Sequence, residues 1–325
     1  VKKNTQAPKG TKRLIAPGIF YETAASEERE SWGGLHFVQE YQNCMRKWYL
    51  KYGLQIRPDH TGKHLIAGAA FHYGKGRFYK HGNKAKALKE TRSYISRRKA
   101  QFESPEDYEW AYTRYPVMLG VWIESYGYHD LEQYKVIAVE EEIVIPVPGT
   151  NGFYATMRPD TILEDKDYGY QWIMETKTTG FSKLLQEKGV YYGDQATMYL
   201  WGAREGLGLK CDGVLPDITY WHKDSKKPEA IDCMRGDIVQ RTEEEIESFV
   251  KGLAGILNEI SQKATALEQG YDPEEILPRN TSRCMDFFRP CEFSEVCRNK
   301  MTRRSRLPDG MHFGKKTPIK IKRGK

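Results

Sequence analysis

The sequence predicts an α/β fold: a mixed central β-sheet flanked by helices, with an N-terminal helical region ahead of it and a C-terminal cysteine-rich segment behind. Three observations predict it. Apolar residues recur at helical spacing through the first 130 positions, and β-branched runs broken by turn signals then occupy residues 136–176. A further helical stretch separates two later strands. Helices, three strands, helix, two strands, helix is an order that builds a mixed sheet.

Taken in order, Ser31 to Tyr52 reads as a helix carrying Leu35, Val38, Trp48 and Leu50, closed by Gly53. Gly68 to Tyr79 continues helically, with Phe71 and Phe78 on one side. Lys84 to Gln101 is a strongly basic helix. Pro105 opens another, through Trp110, Tyr115, Leu119, Trp122 and Tyr126 to Gly127. Val136 to Val147 is a strand stopped by Pro148-Gly149. Phe153 to Leu163 and Tyr168 to Thr176 are strands joined by a hairpin at residues 164–167. Val190 to Glu205 returns to helical spacing. Val214 to His222 and Ile231 to Arg235 are strands around the charged turn Asp224–Glu229. Thr242 starts a long helix through Ile246, Phe249, Leu253, Ile256, Leu257 and Ile260, and Glu245 completes its capping box.

The 325 residues suit one large domain or two small ones. No run of about 18 apolar residues occurs, so no membrane span is expected. The polar N-terminus has no apolar core of a secretory signal, and six cysteines are too few for a disulfide scaffold, so a cytoplasmic location is expected. The net charge of +7 is uneven. Residues 1–13 carry five lysines and arginines without an acid, and residues 303–325 carry nine against Asp309, which leaves the body between them at −6. Ends of that kind can reach a polyanion. The organisation read along the chain is a basic flexible N-terminal tail (1–30), a helical region (31–130), a core (131–265), a cysteine-rich segment (266–302) and a basic C-terminal tail (303–325).

Chemistry concentrates in four short motifs. Glu175 and Lys177 are two apart on a strand and face the same side, and Asp160, in Pro159-Asp160 on the neighbouring strand, can face that side too. Converging carboxylates form a hard oxygen site for Mg²⁺ or Mn²⁺. A lysine beside them can orient an attacking water and offset charge on a phosphate. His72 follows the small residues Gly68-Ala69-Ala70, where helix and sheet can approach closely. Gln195 and Tyr199, four apart, share a helix face.

The ordered set Gly68-x-x-x-His72, Pro159-Asp160, Glu175-x-Lys177 and Gln195-x-x-x-Tyr199 resembles the PD-(D/E)XK nuclease superfamily, in its RecB/AddB-type exonuclease branch, and is similar to CRISPR-associated adaptation nucleases. The resemblance spans residues 44–297 and implies a restriction-endonuclease-like core. It implies His72, Asp160 and Glu175 as ligands of Mg²⁺ or Mn²⁺, the Thr176 carbonyl as a fourth, and Lys177 as the catalytic lysine. Gln195 and Tyr199 would position DNA or the active-site groups. The activity implied is a DNA exonuclease hydrolysing phosphodiester bonds on single strands or free ends, in recombination, repair or phage/CRISPR DNA processing. The rival is a nuclease or DNA-binding subunit active only inside a helicase–nuclease or spacer-acquisition complex. No Walker-type phosphate loop is present, so a motor would be a separate helicase or recombination subunit. The basic helix Lys84–Lys99 can follow the DNA backbone electrostatically.

Cys284, Cys291 and Cys297 cluster within fourteen residues, while Cys44 sits far upstream. Thiols grouped in a reducing compartment read as metal ligands, for a 4Fe–4S cluster or a structural zinc. The resemblance implies the iron–sulfur cluster, because relatives that carry one place one cysteine ahead of the core and three behind. Cys211 and Cys233 have no companions and read as buried free thiols.

Overall fold

In a computed structural model of the chain, the described residues are 34–150, 152–222, 225, 227–286, 289–299 and 306–314, with two short strands at Arg13–Ala16 and Ile19–Tyr21. The two basic tails fall outside them apart from those strands and residues 306–314. So do Asp224 and Lys226 in the expected charged turn. Two compact units are interleaved along the chain. One comprises His60–Ile143 and Arg158–Ile246, and the other the residues up to Asp59, Val144–Met157 and those from Glu247 onward.

The first unit opens with three helices: α1 (Lys63–His81), α2 (Lys84–Ser96) and α3 (Pro105–Trp122). Each boundary has a local cause. Gly82 closes α1 in the left-handed region at φ 63°, its N–H returning to the Phe78 carbonyl at 2.7 Å. The Asn83 side chain caps α2 by accepting from Lys86 N–H at 2.9 Å. Ser104 caps α3, with Pro105 and two acids in its first turn. The helices pack tightly at Gly74, where an added Cβ would lie 1.9 Å from Thr91 Oγ1 and 2.6 Å from Leu119 Cδ2. A Cβ at Gly68 would keep ordinary room, 3.6 Å from Thr178 Oγ1, whereas two turns later a Cβ at Gly76 would lie only 2.9 Å from Val139 Cγ1 of the sheet.

A short helix α4 (Tyr128–Gln133) leads into the sheet, formed by β1 (Tyr134–Val139), β2 (Thr161–Asp165), β3 (Gln171–Thr179), β4 (Gly213–Trp221) and β5 (Ile231–Arg235). Helices α5 (Lys183–Tyr192) and α6 (Asp194–Gly202) cross between β3 and β4. The spatial order is β5-β4-β3-β2-β1. Only β3 and β4 pair in parallel, as their helical crossover requires. This is the mixed sheet flanked by helices that the sequence predicts, a restriction-endonuclease-like architecture. Phe71, Phe78, Met118, Leu119 and Trp122 of the helices bury against Leu163, Met174 and Trp221 of the sheet.

Several expected elements divide. The strand over Val136–Val147 leaves the sheet at Glu140, whose φ is +49°, and resumes as Ile143–Pro146 paired with Tyr154–Met157. Phe153–Leu163 breaks at Pro159, which has no N–H for a ladder. The helix expected from Val190 begins at Lys183 and breaks at Gly193, where a Cβ would sit 2.4 Å from the Gly189 carbonyl oxygen. The long helix α7 (Glu243–Glu268) has its capping box, with Thr242 N–H donating to Glu245 at 2.7 Å and Glu245 N–H to Thr242 Oγ1 at 3.2 Å.

In the second unit, Leu35–Asn43 and Met45–Trp48 are helices broken at Cys44, whose backbone is extended. Phe37 packs edge-on against Trp48 and Tyr52. Strands Ile56–Pro58 and Met311–Phe313 pair antiparallel, and Leu50, Leu54, Ile56, Phe293 and Val296 form a small core. Among the described residues no helix is long and apolar enough to cross a membrane.

A charged network is buried inside the first unit. Lys75 of α1 pairs with Asp217 of β4 and donates to Thr176 Oγ1 at 2.6 Å and Met174 Sδ at 3.2 Å. Asp217 also accepts from Trp122 Nε1 at 2.8 Å. Arg235 grips Asp130, which accepts from Tyr79 OH at 2.7 Å. Removing one member of a buried pair strands the other charge. Lys75→Met or Asp217→Asn should therefore cost about 3–5 kcal/mol in denaturant unfolding, and a loss within about 0.5 kcal/mol would mean the pair carries no such weight.

Candidate active site

The site grows from the register of the sheet. Thr161 lies opposite Met174 across β2–β3, so Asp160, one residue before β2, arrives beside Glu175 and Thr176. Asp160 thus stands immediately ahead of its strand. Its Oδ2 accepts the Thr176 N–H at 2.7 Å, and its Oδ1 lies 2.9 Å from His72 Nδ1, one turn before Lys75 on α1. Alternation along β3 sends Met174 and Thr176 toward Lys75 and turns Glu175 and Lys177 to the other side, as expected. There Lys177 Nζ meets Glu175 Oε1 at 2.5 Å and donates to Gln195 Oε1 at 3.1 Å. Gln195 Nε2 donates in turn to Tyr199 OH at 2.8 Å, the one-turn pair that the sequence places on a single face of α6.

Glu140 was not anticipated. Its ligand atom and those of His72 and Asp160 lie within 4.8 Å of one another. It follows the last residue of β1, and its N–H donates to the Asp160 carbonyl at 2.9 Å. Its φ of +49° lies in the left-handed region, which costs a non-glycine residue about 1–2 kcal/mol. The one available signal was the acidic run Glu140-Glu141-Glu142 at a strand's end.

Charge in this cluster is unevenly shared. Burial pushes Asp160 up, but His72, the Thr176 N–H and the Lys75 charge together hold it below the ordinary carboxylate value. Burial and the nearby Asp160 charge push Glu175 up to about 7, against the pull of Lys177. Burial disfavours the Lys177 ammonium, yet Glu175 outweighs it and Lys177 stays protonated beyond its usual range. His72, pulled down by burial, is raised overall by Asp160. Tyr199 is raised well above its ordinary value by burial and then by the Glu175 and Asp160 charges, so it remains a neutral phenol.

A hard divalent cation fits this donor set. Glu175 Oε2 is buried without a hydrogen-bond partner among the described residues, the Asp160 and His72 charges act on Glu175, and Asp160 and His72 are themselves grouped with Glu140. Of the expected ligands, His72 and Asp160 are in the tight group; Glu175 adjoins it with one oxygen held by Lys177. Thr176 contributes its amide to Asp160 and its hydroxyl to Lys75.

The cysteines lie elsewhere. Cys44, Cys284, Cys291 and Cys297 all belong to the second unit, and none is in a disulfide. Cys284 and Cys291 have six residues between them in sequence but flank a small antiparallel pair, Met285–Asp286 with Arg289–Pro290, and Cys291 N–H bonds the Cys284 carbonyl at 2.8 Å. The Cys44 sulfur accepts from the Lys47 and Asn280 amides, each at 3.5 Å. Burial raises the Cys291 and Cys297 thiols, and the nearby Cys44 raises both further. Cys211 and Cys233 stand apart in the first unit, half-buried, and burial pushes their thiols up to about 12 and about 11.

The sequence model of the PD-(D/E)XK nuclease superfamily matches residues 37–298. No curated protein matches the chain. Among solved structures it is similar to an alkaline exonuclease (LHK-Exo) from Laribacter hongkongensis, at 16% identity over 55% of this chain and 87% of that one, with a TM-score of 0.24. LHK-Exo in complex with dAMP gives 16% identity over 62% and 97%, again with a TM-score of 0.24.

The raised Glu175 and His72 tie the stability of the metal-free protein to pH. Both hold protons more tightly folded than unfolded. The Glu175 contribution is therefore complete below its unfolded value near 4.5 and disappears as pH rises through about 7. Metal-free protein should melt at progressively lower temperature from pH 5 to pH 8, and Glu175→Gln should flatten that slope. Calorimetry in EDTA checks it, and identical slopes for the two proteins would contradict the assignment.

Proposed function

This chain belongs to the PD-(D/E)XK nuclease superfamily, and on that premise we propose that it is a divalent-metal-dependent deoxyribonuclease acting as an exonuclease on single strands or free DNA ends. The observation that carries the reading is the convergence of Asp160, Glu175, Glu140 and His72 beside a lysine held as its ammonium. Mg²⁺ or Mn²⁺ held by His72, Glu140, Asp160 and Glu175 would supply Lewis acidity at the scissile phosphate. Lys177 has three N–H donors, and Glu175 and Gln195 engage two. The third is left to steady an attacking water or a phosphoryl oxygen as negative charge develops. Gln195, braced by Tyr199, fixes the direction of that donor. Lys86, Lys89, Arg92, Arg97 and Lys99 are exposed on and just after α2 and offer cations to the DNA backbone.

The four cysteines of the second unit support a RecB/AddB-type metal cluster. Their all-sulfur donor set suits a 4Fe–4S cluster or zinc. Among the described residues no three of these sulfurs lie within 4.8 Å of one another. The preference for iron–sulfur over zinc rests on the family resemblance, with one cysteine ahead of the core and three behind it. Its role would be to join Cys44 to a segment some 240 residues away.

Two experiments test these readings. Glu175→Ala or Lys177→Ala should lower Mg²⁺- or Mn²⁺-dependent release from end-labelled DNA by roughly 10²–10³-fold, with DNA binding retained; cleavage at the wild-type rate would sink the site assignment. Protein purified without oxygen should be brown with about four irons per chain, and Cys44→Ala should lose the iron and destabilise the second unit. About one zinc in a colourless protein would replace the cluster with a tetrahedral site.

A further inference from the structure

Helix α5 turns its apolar side outward. Val190 is its one buried residue, whereas Leu185 is 67% and Tyr192 76% exposed, and Leu184 and Tyr191 are exposed with them. At 3.6 residues per turn, positions 184, 185, 188, 191 and 192 fall on one face and Val190 lies opposite. Lys188 stands in the middle of that face, which carries no carboxylate. Phe181, 71% exposed, extends the patch just ahead of the helix. Exposed apolar side chains concentrated like this mark a contact surface.

The place of α5 in the chain says what it contacts. Phe181 lies four residues beyond Lys177, and Tyr192 three before Gln195, so the bond of 3.1 Å between Lys177 and Gln195 ties both ends of this segment to the catalytic cluster. A strand with its phosphodiester at Lys177 has its neighbouring nucleotides within reach of a helix about 15 Å long. Adjacent tyrosines, their rings edge to face at 4.9 Å, offer π surfaces, and Lys188 offers the cation. Aromatic surface with positive and no negative charge suits a polyanion whose bases are unpaired. A duplex keeps its base faces stacked inside.

We propose that the Leu184–Leu185–Lys188–Tyr191–Tyr192 face, with Phe181, is a stacking platform for unpaired bases flanking the scissile phosphate, with Lys188 on the backbone. The proposal rests on the nuclease reading above and names the form of substrate that the site takes.

Binding of fluorescein-labelled (dT)₂₀ to the full chain in EDTA, followed by anisotropy over a NaCl series, tests it without cleavage. Tyr191→Ala/Tyr192→Ala should weaken binding roughly ten- to a hundredfold and leave the salt slope unchanged, since no charge is lost. Lys188→Ala should make the slope shallower by about one. Affinity for a blunt duplex should not change in the tyrosine variant, and a strand carrying 2-aminopurine should lose its quenching there. Because both tyrosines are exposed, circular dichroism should report an intact fold. Equal affinity of wild type and tyrosine variant for (dT)₂₀ overturns the platform. If sedimentation then shows an oligomer converted to monomer, the face joins copies of the chain. Should wild type bind (dT)₂₀ through the tyrosines yet fail to cut it when Mn²⁺ is restored, the platform stands and the nuclease reading falls.

Discussion

The active edge of the sheet depends on a lysine that never reaches water. Burying an ammonium costs several kcal/mol, and the fold offsets it with Asp217, the Thr176 hydroxyl and the Met174 sulfur. The consequence is geometric. Lys75 lies one turn from His72 on α1, and Thr176 lies between Glu175 and Lys177 on β3. One contact therefore joins the helix carrying the imidazole to the strand carrying the acid and the amine. Thr176 and Asp217 are direct partners across the parallel β3–β4 pair, so Lys75 spans that seam. With Thr176 pinned, its N–H stays aimed at Asp160.

The same lysine enters the electrostatics, because its charge helps hold Asp160 ionised. Three carboxylates near one imidazole cannot all ionise cheaply without a compensating cation. The protein supplies Lys75 from inside and Lys177 from the open side. Even so, Glu175 remains protonated up to about 7, and one of its oxygens stays unpartnered. A divalent cation would remove that residual misfit, whereas another fixed lysine would lower the charge that the cation needs. A half-satisfied acid of this kind is what the divalent-metal reading proposed above would account for.

What the sequence disclosed here was whatever local period controls. Glu175 and Lys177 share a side because strands alternate, and Gln195 meets Tyr199 because helices return every 3.6 residues. The capping box at Thr242 is likewise a local bond pattern. Glu140 was hidden because its role comes from a left-handed turn at a strand end and a carbonyl on another strand, neither of which has a period. Lys75 was hidden for a similar reason: its partner Asp217 is 142 residues away and is brought to it only by the pairing of β3 with β4. The breaks at Pro159 and Gly193 rest on single residues in otherwise regular stretches. The six-residue gap between Cys284 and Cys291 is closed by a hairpin that spacing alone does not disclose.

The position of the site follows from strand direction. β1 and β2 are antiparallel, so the end of β1 and the start of β2 lie at the same edge, and Glu140 and Asp160 meet there. β3 runs antiparallel to β2, which brings its later residues, Glu175 and Lys177, to that edge as well. The next strand, β4, must run parallel to β3, so the chain has to travel back before it can pair. Helices α5 and α6 make that return, and they start from the edge where the charged residues already stand. Gln195 reaches Lys177 for this reason, and the Gly193 break lets α6 take a direction of its own after α5. A parallel pair beside two antiparallel ones thus places acids, amine and crossover helices at one edge, and the chemistry concentrates where the topology changes.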